Sequence, residues 1–252
     1  MEFSPEFRKV YPQNPAILGE AEKLFADIQK HSRSELKAAD VSAVAKVPHK
    51  TQVYLQVGLR RAIELTESTI RELNASVFIS PFVTTRALFE TACVMYYTWN
   101  RVKLVLNPDS PAGPKDLDDD VMQLLMGARA EGWGGEVQAK NIQTIIDHVD
   151  KVVTGIREAY NGLSELAHPN FAGMLSAYQE PDIEEQRAIF IDPFKERINA
   201  IPIILSSICL CLAIIKRSLD EFEEKLPAFI RLCEEDIYQS GTWPTDVPYR
   251  WA

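Results

Sequence analysis

Cysteine is scarce in this chain, with four in 252 residues at Cys93, Cys209, Cys211 and Cys233. All four fall in stretches of helical pattern and no secretion segment is legible ahead of them, so the expectation is buried, reduced thiols in a cytoplasmic setting. Cys209 and Cys211 stand two apart, which is not the CxxC spacing of a redox or zinc site. Positive charge is also short, 27 basic residues against 36 acidic for a net charge of -9. That balance argues against broad nonspecific attraction to nucleic acid and leaves room only for a local basic pocket. The longest apolar run covers residues 201–215, fewer than the roughly 20 that a hydrocarbon core requires. A fully buried helix and no membrane span are expected there.

Several signatures of known chemistry are missing as well. The glycine-rich residues 131–135 lack the spacing and the lysine of a phosphate-binding loop, and no strand pattern precedes them, so they are expected to reverse the chain while Trp133 packs back. Ser164 has no glycine-flanked nucleophile elbow around it. Asp116, Asp118, Asp119 and Asp120 lack the alternating ligands and closing glutamate of a calcium loop, and read as a solvated helix start where negative charge is favoured. His31 and His49 lie in unrelated segments and His148 stands about five helical turns before His168, so the expectation is no metal and no cofactor. No period suggests a repeat array.

What is present is core: 46% of the residues are hydrophobic, enough to fill a large domain. Helical spacing dominates, and the pattern predicts an all-α antiparallel bundle of about five long helices near residues 48–74, 81–106, 117–131, 137–168 and 193–218. Pro48, Ser80-Pro81 and Asp192-Pro193 give helix starts, Pro202 predicts a kink or a broken first turn, and a packing helix restarts after Pro227. The reading divides the chain into an N-terminal helical extension (1–47), the bundle (48–218) and an acidic helix with an aromatic tail (219–252).

Chemically useful side chains converge in one stretch, residues 147–170. At about 100° per residue, Arg157, Asn161, Ser164 and His168 share one side of a helix with Tyr160 beside them. His168 can exchange a proton near neutral pH, and Arg157 could hold a phosphate beside it. The competing reading places His168 at a helix C-terminus, where its ring bonds the last carbonyls. Arg86 and Glu90 sit four apart on the most apolar helix, as an internal pair or as the second half of a site.

The sequences from Arg86 to Glu90 (RALFE) and from Tyr160 to His168 (YNGLSELAH) resemble the all-helical group labelled domain of unknown function 5677 (DUF5677). That group is similar to the wider higher-eukaryote and prokaryote nucleotide-binding (HEPN-like) superfamily. The resemblance covers about residues 50–218. It implies an antiparallel helical bundle, often dimeric, from a superfamily holding RNA-cleaving toxins and defence proteins as well as inactive structural members. Active members carry an arginine, a small polar residue and a histidine with about four to six residues between arginine and histidine, whereas ten separate Arg157 from His168 here. The carry-over is His168 for the histidine, with Arg157 or the distant Arg86 for the arginine. Two classes of function follow as expectations. One is a metal-independent RNA-cleaving or nucleotide-binding protein with His168 and an arginine in a shared pocket, assembled within one chain or across a homodimer. The other is a noncatalytic interaction module that meets a protein partner through its termini.

Overall fold

A computed structural model describes residues 2–128, 137–249 and 251. The N-terminal part holds α1 (Pro5–Val10), α2 (Pro15–Gln29) and the short α3 (Ala38–Val41). Two long helices follow, α4 (Lys46–Asn74) and α5 (Ser80–Leu106), joined by a tight reversal in which Ser76 takes a left-handed φ of 57°. Then come α6 (Pro114–Met126), α7 (Ile142–Asp150) and α8 (Ile156–Ala167). A π turn (Phe171–Leu175), α9 (Ser176–Tyr178) and an antiparallel hairpin of β1 (Gln179–Asp182) and β2 (Arg187–Phe190) lead to α10 (Pro193–Glu196), a 3-10 turn (Ile198–Ala200) and α11 (Ile201–Gln239). The fold is predominantly α-helical, a bundle with one small two-stranded sheet among the described residues.

The core is organised on α5, which the sequence makes apolar on nearly every side. Leu88, Phe89, Ala92, Met95, Trp99 and Val102 are all buried, and α4, α7, α8 and α11 pack around them. A helix apolar all round is stable only when neighbours cover it on all sides. The run of residues 201–215 lies in α11, whose Ile204, Ile208, Leu212 and Ile215 are fully buried against α2 and α5. Among the described residues, the stretch Ile198–Gln239 is long and apolar enough to cross a membrane by length and composition, with half of its most apolar window buried within the fold.

Several boundaries differ from the sequence reading, each for a local reason. Helix 137–168 is two helices. Gly155 adopts a left-handed φ of 95°, and Asp150 Oδ1 accepts from the backbone N–H groups of Gly155 (3.1 Å) and Arg157 (3.0 Å), ending one helix and capping the next. Ser80 is the first residue of α5 rather than its cap, and its hydroxyl donates to Glu72 across the reversal at 2.7 Å. α6 stops at Met126 because Gly127 turns extended, pressed so close to Ala139 that a Cβ there would lie 2.7 Å from the Ala139 Cα. The expected reversal and packing of Trp133 lie outside the described residues. Asp192 does cap α10, but that helix lasts one turn, and the break precedes Pro202, which enters the first turn of α11 where its missing N–H costs nothing.

No restart occurs at Pro227. α11 runs through it without interruption, so the boundary drawn at 218–219 falls inside one helix, between the buried residues Ser218 and Leu219. The buried core is shared by residues from all three parts of the chain, Phe7 and Phe25 with Leu59 and Phe89, and with Phe222 and Phe229. Glu234 on α11 binds both ends, accepting from Ser42 Oγ at 2.6 Å and from Trp251 Nε1 at 2.5 Å. The tail's rings fold back, Tyr249 stacked on Tyr238 with centroids 3.9 Å apart.

Candidate functional site

The helix break at Gly155 decides which of the focal side chains meet. α7 and α8 both lie against α5, and α8 presents Tyr160 inward, 2% exposed, with its ring 6.1 Å from that of Phe89. The Tyr160 hydroxyl reaches two charged residues of α5, Arg86 and Glu90. It donates to Glu90 Oε1 at 2.8 Å and accepts from Arg86 at 2.9 Å (NH2) and 3.2 Å (Nε). Arg86 also lies over the Tyr160 ring, 5.3 Å from its centroid, and its Nε is 3.5 Å from Glu90 Oε1. A guanidinium held by a hydroxyl, a carboxylate and a ring face has little rotamer freedom left to lose on binding a ligand.

His168 follows the last turn of α8 as its C-cap, in extended backbone conformation, with its N–H bonded to the Ser164 carbonyl at 3.0 Å. The imidazole does not close on terminal carbonyls. It is exposed, and its Nε2 lies 3.2 Å from Arg86 NH1. With the ring neutral and protonated on Nδ1, Nε2 accepts that hydrogen bond. The segment that follows is pinned at the same point, since Asn170 N bonds the His168 carbonyl at 2.8 Å and Gly173 packs so tightly that a Cβ would lie 2.1 Å from the same oxygen.

Arg157 is elsewhere. It occupies the first turn of α8, about 16 Å along the chain from His168 at 1.5 Å per residue, and turns back toward α7. Its guanidinium pairs with Asp147, with Nε to Oδ1 at 2.9 Å, and with Gln143, whose carbonyl accepts at 2.8 Å and whose side-chain oxygen accepts from NH1. Gln143 then donates from Nε2 to the Tyr160 hydroxyl at 3.2 Å, so Arg157 supports the Arg86 network at one remove. Asn161 points to solvent, and the Ser164 hydroxyl is buried without a hydrogen-bond partner and so is not bonded to His168. Arg86 is therefore the arginine the structure brings to His168, with Glu90 and Tyr160 beside it.

An open cleft of about 630 Å³ adjoins this network between α4, α5 and α7. Tyr54, Gly58 and Arg61 line it from α4, Arg86 and Glu90 from α5, and Gln143 from α7. Gln143 and Arg61 were not singled out by sequence reasoning. A glutamine near a helix start and an arginine on a charged helix face are ordinary, and nothing in their local pattern marks them.

The other sequence candidates are committed to structure. Asp116 caps Gly113 N at 2.9 Å, Asp118 pairs with Lys50 at 2.6 Å, and Asp120 pairs with Lys140 at 2.7 Å and with Arg101, so three of the four acidic residues at the start of α6 are engaged. Among the described residues no group of three or more His, Cys, Asp or Glu side chains converges as a metal set would. The four cysteines are free; burial pushes the Cys93 and Cys233 thiols up to about 12 and Cys209 to about 11, so all three stay protonated at neutral pH. Compared with family models, curated proteins and solved structures, the chain matches none.

Proposed function

We propose that the protein cleaves RNA without a metal ion, using Arg86, which lines the α4–α5–α7 cleft, and His168 beside it, in the manner implied by the resemblance to the HEPN-like superfamily. The observation that carries this reading is the 3.2 Å approach of Arg86 NH1 to an exposed His168 Nε2. His168 would take the proton of a ribose 2′-hydroxyl. The 2′-oxygen then bonds the adjacent phosphorus as the bond to the 5′-oxygen breaks, and that oxygen takes a proton from water. Arg86, oriented by Tyr160 and Glu90, would carry the negative charge that builds on the phosphoryl oxygens.

The test is incubation of the purified protein with mixed RNA in the presence of a chelator, beside His168→Ala. Cyclic phosphate ends are expected from the native chain, with a fall of at least about 100-fold in the variant. Equal signal from both proteins, or none from either, would remove the catalytic reading.

A second reading, a noncatalytic interaction module, is favoured by one specific feature. The segment after His168 exposes apolar side chains in close succession: Phe171 at 73%, Met174, Leu175, Tyr178 and Phe190 at 84%. Apolar surface of this kind marks contact with another macromolecule, a second copy or a different protein.

A further inference from the structure

We infer that the cleft between α4, α5 and α7 is a binding site for a small amphipathic monoanion, a carboxylate on an aryl or short alkyl body, with Arg61 as the principal contact for the head. Arg61 differs from the other arginines around the site. Its Nε donates to Thr91 Oγ1 at 3.2 Å, which anchors the guanidinium across the α4–α5 seam. Its two η nitrogens have no acceptor among the described residues, and no carboxylate pairs with it there. A planar fork anchored at one nitrogen and open at the others is the donor geometry a carboxylate accepts in bidentate fashion.

The remainder of the lining fits a body rather than a second charge. Val57, Val94, Met95 and Ile142 supply apolar wall, and the bare Cα of Gly58 lets Met95 approach so closely that a Cβ would sit 2.9 Å from Met95 Cγ. Arg86 also lines the cleft, but it is already engaged by Tyr160, Glu90 and His168. Glu90 is part of that wall and opposes a second negative charge. The charged lining residues thus sum to one positive charge, Arg61 and Arg86 against Glu90, in a chain whose formal charge is -9. At about 630 Å³ the cleft is in the size range of small-molecule sites, roughly 300–1,000 Å³. The site so described needs Arg61 and the apolar wall, not the proton transfer at His168.

The experiment is titration calorimetry of the full chain with 1-naphthoate, beside acetate as head alone, 1-naphthamide as neutral body and 1-naphthyl phosphate as the doubly charged analogue. One equivalent of 1-naphthoate is expected to bind, with each of the other three weaker by about ten-fold or more. Arg61→Gln should weaken 1-naphthoate by about ten-fold or more while keeping the native melting temperature, and Arg61→Lys should recover part of the loss. Arg217→Gln, which removes a guanidinium outside the cleft, should bind as the native chain does. Absence of 1-naphthoate binding, equal affinity for 1-naphthamide, or full affinity in Arg61→Gln would each overturn the assignment. Cleavage of RNA is read from His168→Ala in a separate assay, so loss of one reading leaves the other to its own result.

Discussion

Tyr160 is the residue on which the site turns. Its hydroxyl bonds both Arg86 and Glu90, and it does so from a buried position where an unmet partner is costly. Tyr160→Phe keeps the ring against Phe89 and deletes the hydroxyl, leaving Glu90 and Gln143 each short of a partner. A loss of about 1–3 kcal/mol in unfolding free energy is expected, measured by urea titration. An unchanged midpoint would mean that the network carries no net stability and that its ordering of Arg86 is incidental. At this scale the sequence was informative where a residue contradicted its surroundings. Arg86 and Glu90 stood out as charges on an apolar helix, and His168 as an ionisable ring ending a helix. Arg61 and Gln143 conform to theirs, so their part in the cleft was invisible until α4, α5 and α7 came together.

Helices were legible to the extent that their apolar spacing was. α4 and α5 match the expected spans closely because each is a long periodic run with a proline near its start. The division of 137–168 was not legible, because the spacing stays helical across the break while one glycine and one aspartate carboxylate decide the conformation. That break also brings α7 back beside the start of α8, where Asp147 and Gln143 hold Arg157 about three turns of helix from His168, so of the two arginines the sequence offered it is Arg86 that meets the histidine. α7 carries an element-level consequence of its own. Its His148 ring meets Tyr97 edge-on, with centroids 5.2 Å apart. Burial, with the charges of Lys151 and Arg101, holds the His148 pKa below its ordinary 6.5, only partly offset by Asp120. As pH falls through that ordinary value the unfolded chain takes up the proton first, so the folded state loses stability on the acid side. His148→Phe keeps the ring contact and removes the titration. The fall in urea midpoint between about pH 7.5 and about pH 5.5 should be smaller in the variant than in the native chain. Equal slopes would place the acid sensitivity elsewhere.

Across the whole molecule, the N-terminal helices and the long last helix share one buried interior. Phe25 of α2 is 1% exposed, and α2 packs on α11. Phe25→Ala should therefore destabilise the entire fold by about 3–5 kcal/mol, with fluorescence and circular dichroism shifting together in a single transition. Two separated transitions, only one of them moved, would show instead that residues 1–47 fold as a unit apart. The sequence set the ends of the chain apart, a helical extension at the front and an acidic helix with an aromatic tail at the back. Composition reports what faces water, while the sharing of a core depends on long-range packing such as Phe7 against Phe194, which no local window contains.

The continuity of α11 has a further consequence. At 39 residues and 1.5 Å for each, it is a rod of about 58 Å, and the peptide bond where composition suggests a seam joins two residues hidden from solvent. A protease searching the surface finds nothing to cut there. Among the described residues an accessible target is the hairpin, where residues 183–190 all face outward, so scission of the native protein is expected there rather than between body and tail.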